Sequence, residues 1–217
     1  TFLFENKEAW LNFKKFNRIF AFIVAIIPII ATLFNFILPD LIVNVFCAFC
    51  VYIPYFLEKQ FGIIILEEAR FGIIFHSMLH TIFGKTLHFY DKYPLYDSIL
   101  HLLGGMLIVF ATLPVITSIE INCSNHTKKV IRRKANFSTF NFVNTLGVGW
   151  ETIEFVADLL FRDIPGYRIA QEDSLFDTMT DLIENNIGGF VAILIFWKIV
   201  NYFEKNGRDM HNLFKNI

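Results

Sequence analysis

Long apolar runs are the feature of this sequence that most limits what the chain can fold into. A helix needs about 20 mostly apolar residues to cross the hydrocarbon core of a bilayer. Six runs close to that length follow one another, at residues 20–38, 41–57, 71–89, 95–116, 137–161 and 175–199. The apolar piece from Phe61 to Leu66 is shorter and predicts an interfacial or re-entrant segment. We therefore predict an all-α fold, a polytopic membrane helix bundle of about six transmembrane helices that forms a single transmembrane domain over residues 1–217.

Composition supports the membrane class and excludes one class of partner. Hydrophobic residues make up 55% of the chain and charged residues only 18%, whereas soluble domains have about 45–50% and about 25%. The net charge of -1 gives no reason to expect a nucleic-acid partner. The sequence contains no nucleophile elbow, phosphate-binding loop or His-rich desaturase box.

The basic residues predict the orientation of the chain. Lys and Arg are enriched in the cytoplasmic connections of membrane proteins. With six spans, 15 of the 19 Lys and Arg residues fall on the side that holds both termini. We therefore expect both termini in the cytoplasm. The basic loop over residues 120–134 lies on the same side and is a possible docking place for a protein partner.

Acidic residues recur inside three of the apolar runs, at spacings that place each set on one helix face. The sets are Asp97 and His101, then Glu151, Glu154 and Asp158, then Asp177, Asp181 and Asn185. Charged side chains inside a membrane are costly, tend to face the bundle interior and mark function. The predicted direction of the helices brings the three faces to one depth in the outer half of the membrane. We therefore predict one polar pocket, made of Asp97, His101, Glu151, Glu154, Asp177, Asp181 and Asn185.

Each of these residues also has a simpler interpretation. Asp97 and Asp177 stand near helix starts, where a carboxylate favours the positive end of the helix dipole. Glu151 and Asp181 lie deeper and could form interhelical hydrogen bonds that only hold the bundle together. His80 and His88 reach a similar level, and we expect them to pack rather than bind. The pairs Gly104–Gly105 and Gly188–Gly189 are most simply positions of close helix packing.

Carboxylates with one imidazole suit a divalent metal ion. Oxygen ligands fit Mg²⁺ or Mn²⁺, and a histidine accommodates Zn²⁺ or Fe²⁺. The predicted ligands are Asp97, His101, Glu154, Asp177 and Asp181. A metal at this depth would polarise a phosphoryl or carbonyl group and activate water. The accessible substrate would be a membrane lipid headgroup or a cell-envelope precursor. Without a metal, close carboxylates could still do acid–base work.

Three motifs in order resemble the YjdF-type family of bacterial inner-membrane proteins. They are Gly84 to Tyr90 followed by Tyr96-Asp97-x-x-x-His101-x-x-Gly104-Gly105, then Trp150-Glu151-x-x-Glu154, then Asp177-Thr178-x-x-Asp181-Leu182-x-x-Asn185-x-x-Gly188. The pattern is more loosely similar to VanZ-like proteins, and the resemblance covers roughly residues 50–195. It implies a multi-pass protein of a bacterial-type inner (plasma) membrane. It supplies no settled reaction, since the function of that family is largely uncharacterised.

Two classes of function therefore stay open. The first is a metal-dependent enzyme acting on lipid or envelope material. The second is a structural or accessory subunit of a larger membrane complex, in which the polar stripe holds the bundle or binds a headgroup. A proton-coupled transporter is a weaker third option, because the paired broken helices of many transporters are absent from the sequence pattern.

The orientation can be tested with reporter fusions. A reporter at Asn125 should lie in the cytoplasm and one at Gly166 on the opposite side, because the Lys and Arg bias assigns them so. Alkaline phosphatase and green fluorescent protein fusions at each position report the side. Fusions that report the same side, or the reverse sides, contradict the predicted orientation.

Overall fold

The computed structural model describes residues 7–34, 36–171, 174–215 and 217. Over these residues the chain forms helices and no strand, so the all-α prediction is confirmed. The helices are α1 (Lys7–Phe34), α2 (Leu38–Phe61), α3 (Glu67–Met78), a π-helical segment (Leu79–Thr86), α4 (Phe89–Lys92), α5 (Tyr96–Cys123), α6 (Lys128–Phe161), α7 (Leu175–Lys205) and α8 (Met210–Lys215). Residues 1–6, and Asn35 in the first apolar run, lie outside the described residues. The single domain over residues 1–217 stays a prediction.

The number of membrane spans differs from the prediction. In the described part of the chain, four helices are long and apolar enough to cross a membrane by length and composition, namely α1, α2, α5 and α7. The expected count of about six is therefore wrong. The helix expected over residues 71–89 divides into a 12-residue α3 and a π-helical segment. Helix α6 has 34 residues, but it begins with basic residues and carries polar groups along its length, which lowers its hydropathy.

The structure defines two of the connections. The basic segment 120–134 is not an open loop, because α5 ends at Cys123 and α6 begins at Lys128. The piece after Phe61 is a non-helical connection in which Ile65 and Leu66 are buried and Ile64 is exposed, and its interfacial or re-entrant position stays a prediction. A backbone hydrogen bond of 3.2 Å from Ile64 N to the Ile217 carbonyl oxygen holds it.

The helices form two groups that meet along α5. Helices α1, α2 and α3 pack on one another, and α5, α6, α7 and α8 form the second group. Helix α3 also packs on α5 and joins the groups. The second group has the larger buried core, in which α5 and α7 contribute side chains such as Leu113 and Phe196 and α8 contributes Met210 and Phe214. Outward-facing apolar side chains on most helices suit a lipid environment.

A buried charge network ties the first group together. The Arg70 guanidinium, 1% exposed, forms ion pairs with Glu58 and Glu67. The amide of Asn17 donates to a Glu67 carboxylate oxygen over 2.9 Å, and Arg70 lies 4.3 Å from the ring centre of Tyr55. Because each acidic group has a cationic or amide partner, this network reads as structural support for α1, α2 and α3.

The closest helix contact is between α5 and α7. A Cβ at Gly105 would overlap the backbone carbonyl oxygen of Asn185, and a Cβ at Gly188 would overlap that of Leu102. Small residues allow such close backbone approach in membrane bundles, where packing replaces the hydrophobic driving force. The two glycines therefore set the distance between the helices that carry His101 and Asp181.

Substitution of Gly105 by alanine should destabilise the bundle. The added methyl meets backbone rather than a movable side chain, so α5 and α7 must separate, at a cost of about 2 kcal/mol or more. Thermal unfolding of the purified protein in detergent measures the loss. Gly149→Ala is the matched control, because nothing lies within 4 Å of its added Cβ and alanine favours a helix. Equal melting temperatures for the two variants would contradict the close-contact interpretation.

Candidate functional site

His101 lies at the centre of a cluster of acidic side chains from three helices. Its Nε2 atom is 3.4 Å from Asp97 Oδ1, one turn earlier in α5, and 3.7 Å from Asp181 Oδ2 of α7. Its Nδ1 atom is 3.9 Å from Glu151 Oε1 of α6. The side chains of His101, Glu151 and Asp181 are 5–7% exposed, and that of Asp97 is 24% exposed. The helical spacing that predicted one face on each helix thus places these atoms around one imidazole.

Asn185 orients the imidazole. Its Nδ2 amide group lies 3.2 Å from His101 Nδ1 and can donate to it, which puts the proton of a neutral ring on Nε2. Because an asparagine side chain can present either its oxygen or its NH₂ group, Asn185 can also accept from a protonated Nδ1. Glycines at positions 104 and 147 leave room for the Asn185 side chain.

Glu151 has an unusual environment within this cluster. Neither of its carboxylate oxygens has a hydrogen-bond partner within 3.5 Å among the described residues, although the residue is only 4% exposed. The side-chain amide of Gln171 lies beside Glu151, where it donates to the Glu151 carbonyl oxygen over 3.3 Å. His101 Nδ1 lies 3.9 Å from Glu151 Oε1, which is beyond hydrogen-bond range. A buried carboxylate of this kind is costly unless something neutralises it.

Glu154 faces the same imidazole from one turn further along α6. Trp150 Nε1 donates to Glu154 Oε1 over 2.8 Å. The Trp150 ring meets His80 edge to face, with centroids 5.3 Å apart, and His80 Nδ1 lies 2.5 Å from the Tyr90 hydroxyl. Burial raises the pKa of Tyr90 well above its usual value, with the negative charges of Asp97 and Glu154 adding to the rise, so the phenol keeps its proton.

Asp177 and Asp158 lie away from the acidic side chains that surround His101. Asp177 lies in the first turn of α7, where its backbone N–H donates to the capping Ser174 hydroxyl over 3.4 Å. The carboxylate of Asp158 accepts from the Tyr167 hydroxyl over 2.7 Å, from Ala170 N over 2.8 Å and from Gln171 N over 2.9 Å. Asp158 therefore fixes the connection between α6 and α7. Burial raises the pKa of Tyr167, and the hydrogen bond to Asp158 raises it further.

Two overlapping groups in the described residues have the ligand types of a metal site. They are Asp97, His101 and Asp181, and His101, Glu151 and Glu154, each with ligand atoms within 4.8 Å of one another. Asp177, also predicted as a ligand, belongs to neither group. Two adjoining cavities of about 580 and 530 Å³ border the cluster, and Asp97, His80 and Trp150 line both.

The part of the chain that matches a known protein family includes every residue of this cluster. Residues 10–202 match the family described as "Predicted membrane protein (DUF2238)". The chain belongs to this family. The resemblance to the YjdF-type family, which rested on motifs within residues 50–195, is thereby confirmed. An uncharacterised protein of Thermotoga maritima is 29% identical over 155 residues, which are 71% of this chain and 72% of that protein. No solved structure matches the chain.

The region that matches the DUF2238 family also contains residues at the site that the sequence did not identify as functional, or for which it predicted only a packing role. Trp150 stands inside one quoted motif, and Tyr90 ends another. Gly84, in that second motif, is needed because a Cβ there would overlap the Tyr90 ring. His80, expected only to pack, contacts both aromatic residues. For Tyr90 and Trp150, the sequence feature that could have indicated a role at the site was their position inside the motifs, not their side-chain chemistry.

The role of Asp158 can be tested by hydrogen exchange. Asp158→Asn should speed amide exchange across residues 164–171, because charge-assisted hydrogen bonds to three donors, worth about 1.5–3 kcal/mol each, are weakened. Exchange measured by mass spectrometry in detergent resolves this segment. Asp163→Asn changes an exposed acid in the same connection and should leave its exchange unchanged. Unchanged exchange in Asp158→Asn would remove the anchoring role.

Proposed function

We propose that this DUF2238 protein binds a divalent metal ion at the His101 cluster and uses it on the headgroup of a lipid or cell-envelope precursor. The observation that carries the proposal is Glu151, a buried carboxylate with both oxygens unpartnered among the described residues. It stands beside three further carboxylates and one imidazole. A cation supplied from outside the chain would neutralise this excess of negative charge.

The spacing of the ligand atoms supports a shared metal better than direct hydrogen bonds. Separations of 3.4 Å and 3.7 Å from His101 Nε2 to Asp97 and Asp181 are long for hydrogen bonds. Two ligands that bind one tetrahedral metal at about 2.0–2.1 Å lie roughly 3.3–3.5 Å apart. One nitrogen with several carboxylates suits Zn²⁺, Fe²⁺ or Mn²⁺, and the surrounding oxygens also suit Mg²⁺. Asn185 would then hold the other ring nitrogen, as supporting groups of metal ligands do.

The chemistry proposed for the site follows from the same residues. A metal held by Asp97, His101 and Asp181 would polarise a phosphoryl or carbonyl oxygen and lower the pKa of a bound water. Glu151, 3.9 Å from the other ring nitrogen, and Glu154 would add negative charge beside the imidazole, and either one could accept or return a proton. The Trp150 hydrogen bond holds the Glu154 carboxylate in place for that role.

The proposed cellular location is a bacterial-type plasma membrane, with both termini in the cytoplasm. The support is that basic residues cluster near both ends of the chain, at Lys7, Lys14, Lys15 and Arg18 and at Lys198, Lys205, Arg208 and Lys215. Lipids and cell-envelope precursors are the substrates available to a site in this membrane.

A second candidate function is a non-catalytic accessory subunit. It is favoured by the start of α6, where Lys129 and Arg133 are exposed on a basic turn. In that case the acid cluster would serve only the bundle, and the basic turn would dock an acidic surface of a protein partner. Stable co-purification of a large partner, without a metal, would support this alternative.

Metal binding by the Asp181→Asn variant is the primary test. Asparagine keeps the shape and hydrogen bonding of Asp181 but loses its charge, so the variant should fold and insert as the unaltered chain does. Its affinity for Zn²⁺ or Mn²⁺ should fall roughly 100-fold or more, since even the loss of a supporting partner costs 10–100-fold. Titration calorimetry and elemental analysis of the purified protein measure this. Full metal affinity in the folded variant would defeat the proposal.

Stability without metal gives an independent test at Glu151. Glu151→Gln should raise the free energy of unfolding of the metal-free protein by about 1–2 kcal/mol, because it removes a buried unpaired charge. The same substitution should weaken the stabilisation by added divalent cations, because it removes one of the negative charges around the site. Glu120→Gln is the control, because Glu120 pairs with Lys134 over 3.6 Å at the other end of α5. A destabilised Glu151→Gln variant would show that the carboxylate supports the fold instead.

A further inference from the structure

The space beside the acid cluster is a cleft between the two helix groups. The cavities of about 580 and 530 Å³ share lining residues on α2, on α6 and near the start of α5, so they adjoin and are described together. Helix α2 packs within the first group and α6 within the second, and each presents one wall to this cleft. We call it the α2–α6 cleft. Its size is within the 300–1,000 Å³ typical of ligand sites.

The walls of the α2–α6 cleft are apolar and reach the membrane-facing surface. Ile42 and Phe46 of α2 line it and are 46% and 38% exposed. Ile153 and Val156 of α6 line it from the other side and are 44% and 45% exposed. On the candidate span α2, such side chains would contact acyl chains in a bilayer. The cleft therefore opens at the outer surface of the bundle, and its inner end reaches His101 and Asn185.

One end of the cleft has cationic side chains of the kind that bind a lipid headgroup. Lys85 and Arg168 line it from two different elements, the π-helical segment and the α6–α7 connection. Lys85 Nζ is 2.9 Å from Asp40 Oδ1, and Arg168 Nε is 3.1 Å from Asp91 Oδ1. Tyr90, Trp150 and Tyr167 line the same cavity.

We propose that the α2–α6 cleft binds a phospholipid-like amphiphile, with its phosphate between Lys85 and Arg168 and its hydrocarbon chain along α2 and α6. Arginine and lysine are the side chains that recognise phosphate oxygens. A phosphate held there lies at the cavity that Asp97 and Glu154 also line, so it stands beside the acid cluster. The inference rests on the proposed function in one respect, because it names the substrate class that the metal would act on.

Photolabelling tests the occupant directly. The probe is phosphatidic acid with a diazirine in its acyl chain, added to the purified full chain in detergent micelles with EDTA present. Peptide mass spectrometry should find adducts on cleft residues such as Phe46 and Ile153. The matched diacylglycerol probe, which lacks the phosphate, should label these positions about tenfold less. Equal labelling of Ile153 and of Ile183, an exposed α7 residue outside the cleft, would overturn the proposal.

Charge variants separate phosphate binding from simple ion pairing. The double variant Lys85→Gln, Arg168→Gln should bind the phosphate probe roughly 100-fold more weakly, because it loses two charged hydrogen bonds. The variant Asp40→Asn, Asp91→Asn breaks the same two ion pairs but keeps both cations, and its labelling should be retained. If both double variants lose labelling equally, the cations serve the fold and the proposal fails. Lys92→Gln, an exposed lysine at the same end, is the control.

Two further arms define the lipid. Ile153→Trp should fill the cleft and abolish cleft labelling, whereas Ile183→Trp should not, with melting temperatures confirming that both variants fold. Excess inorganic phosphate should not displace the lipid probe. Displacement by inorganic phosphate alone would mean a free-phosphate site, which overturns the lipid assignment.

The experiments can distinguish failure of the lipid-site proposal from failure of the metal-site proposal. Labelling is measured without divalent cations and again in the Asp181→Asn variant. Lost metal binding with intact cleft labelling would defeat the metal proposal and leave the lipid site standing. Intact metal binding with no phosphate-dependent labelling would overturn the lipid site alone.

Discussion

The close contact of α5 with α7 is the constraint on which the rest of the structure depends. Gly105 and Gly188 let the two backbones approach until each glycine faces a carbonyl of the other helix. In lipid there is little hydrophobic gain from bringing helices together, so packing at small residues supplies the attraction. The same approach carries Asn185 to His101 and sets Asp181 within 4 Å of the imidazole. A wider helix separation would leave these polar groups without one another.

The protein contains two buried polar assemblies that balance charge differently. Around Arg70, each acid has a partner, and the network joins α1, α2 and α3. Around His101, one imidazole faces several carboxylates, and Glu151 has no hydrogen-bond partner in the described part of the chain. Burial penalises both assemblies, but one guanidinium faces two carboxylates in the first, whereas one imidazole faces four carboxylates in the second. That contrast is the physical ground for treating the second assembly as a site and the first as support.

Access to the site depends on how the two helix groups meet. The π-helical segment and Gly84 bring the Tyr90 ring against His80, and His80 in turn contacts Trp150 of the other group. Contact at this end leaves α2 and α6 facing each other across a cleft. Departures from α-helical geometry of this kind are frequent at functional sites, because they re-aim side chains that a regular helix would hold elsewhere.

Sequence alone determined the class of this protein and much of its local structure. Apolar runs predicted helices of a membrane protein. Spacings of three and four residues predicted which polar side chains share a helix face, such as Asp97 with His101, because one helix fixes its own periodicity. Tertiary structure decided what those faces meet. It reduced the candidate spans to four, gave Asp158 to a connecting segment and left Glu151 unpartnered among the described residues. Periodicity says nothing about the rotation and depth of one helix relative to another, which side-chain packing at contacts such as Gly105 sets.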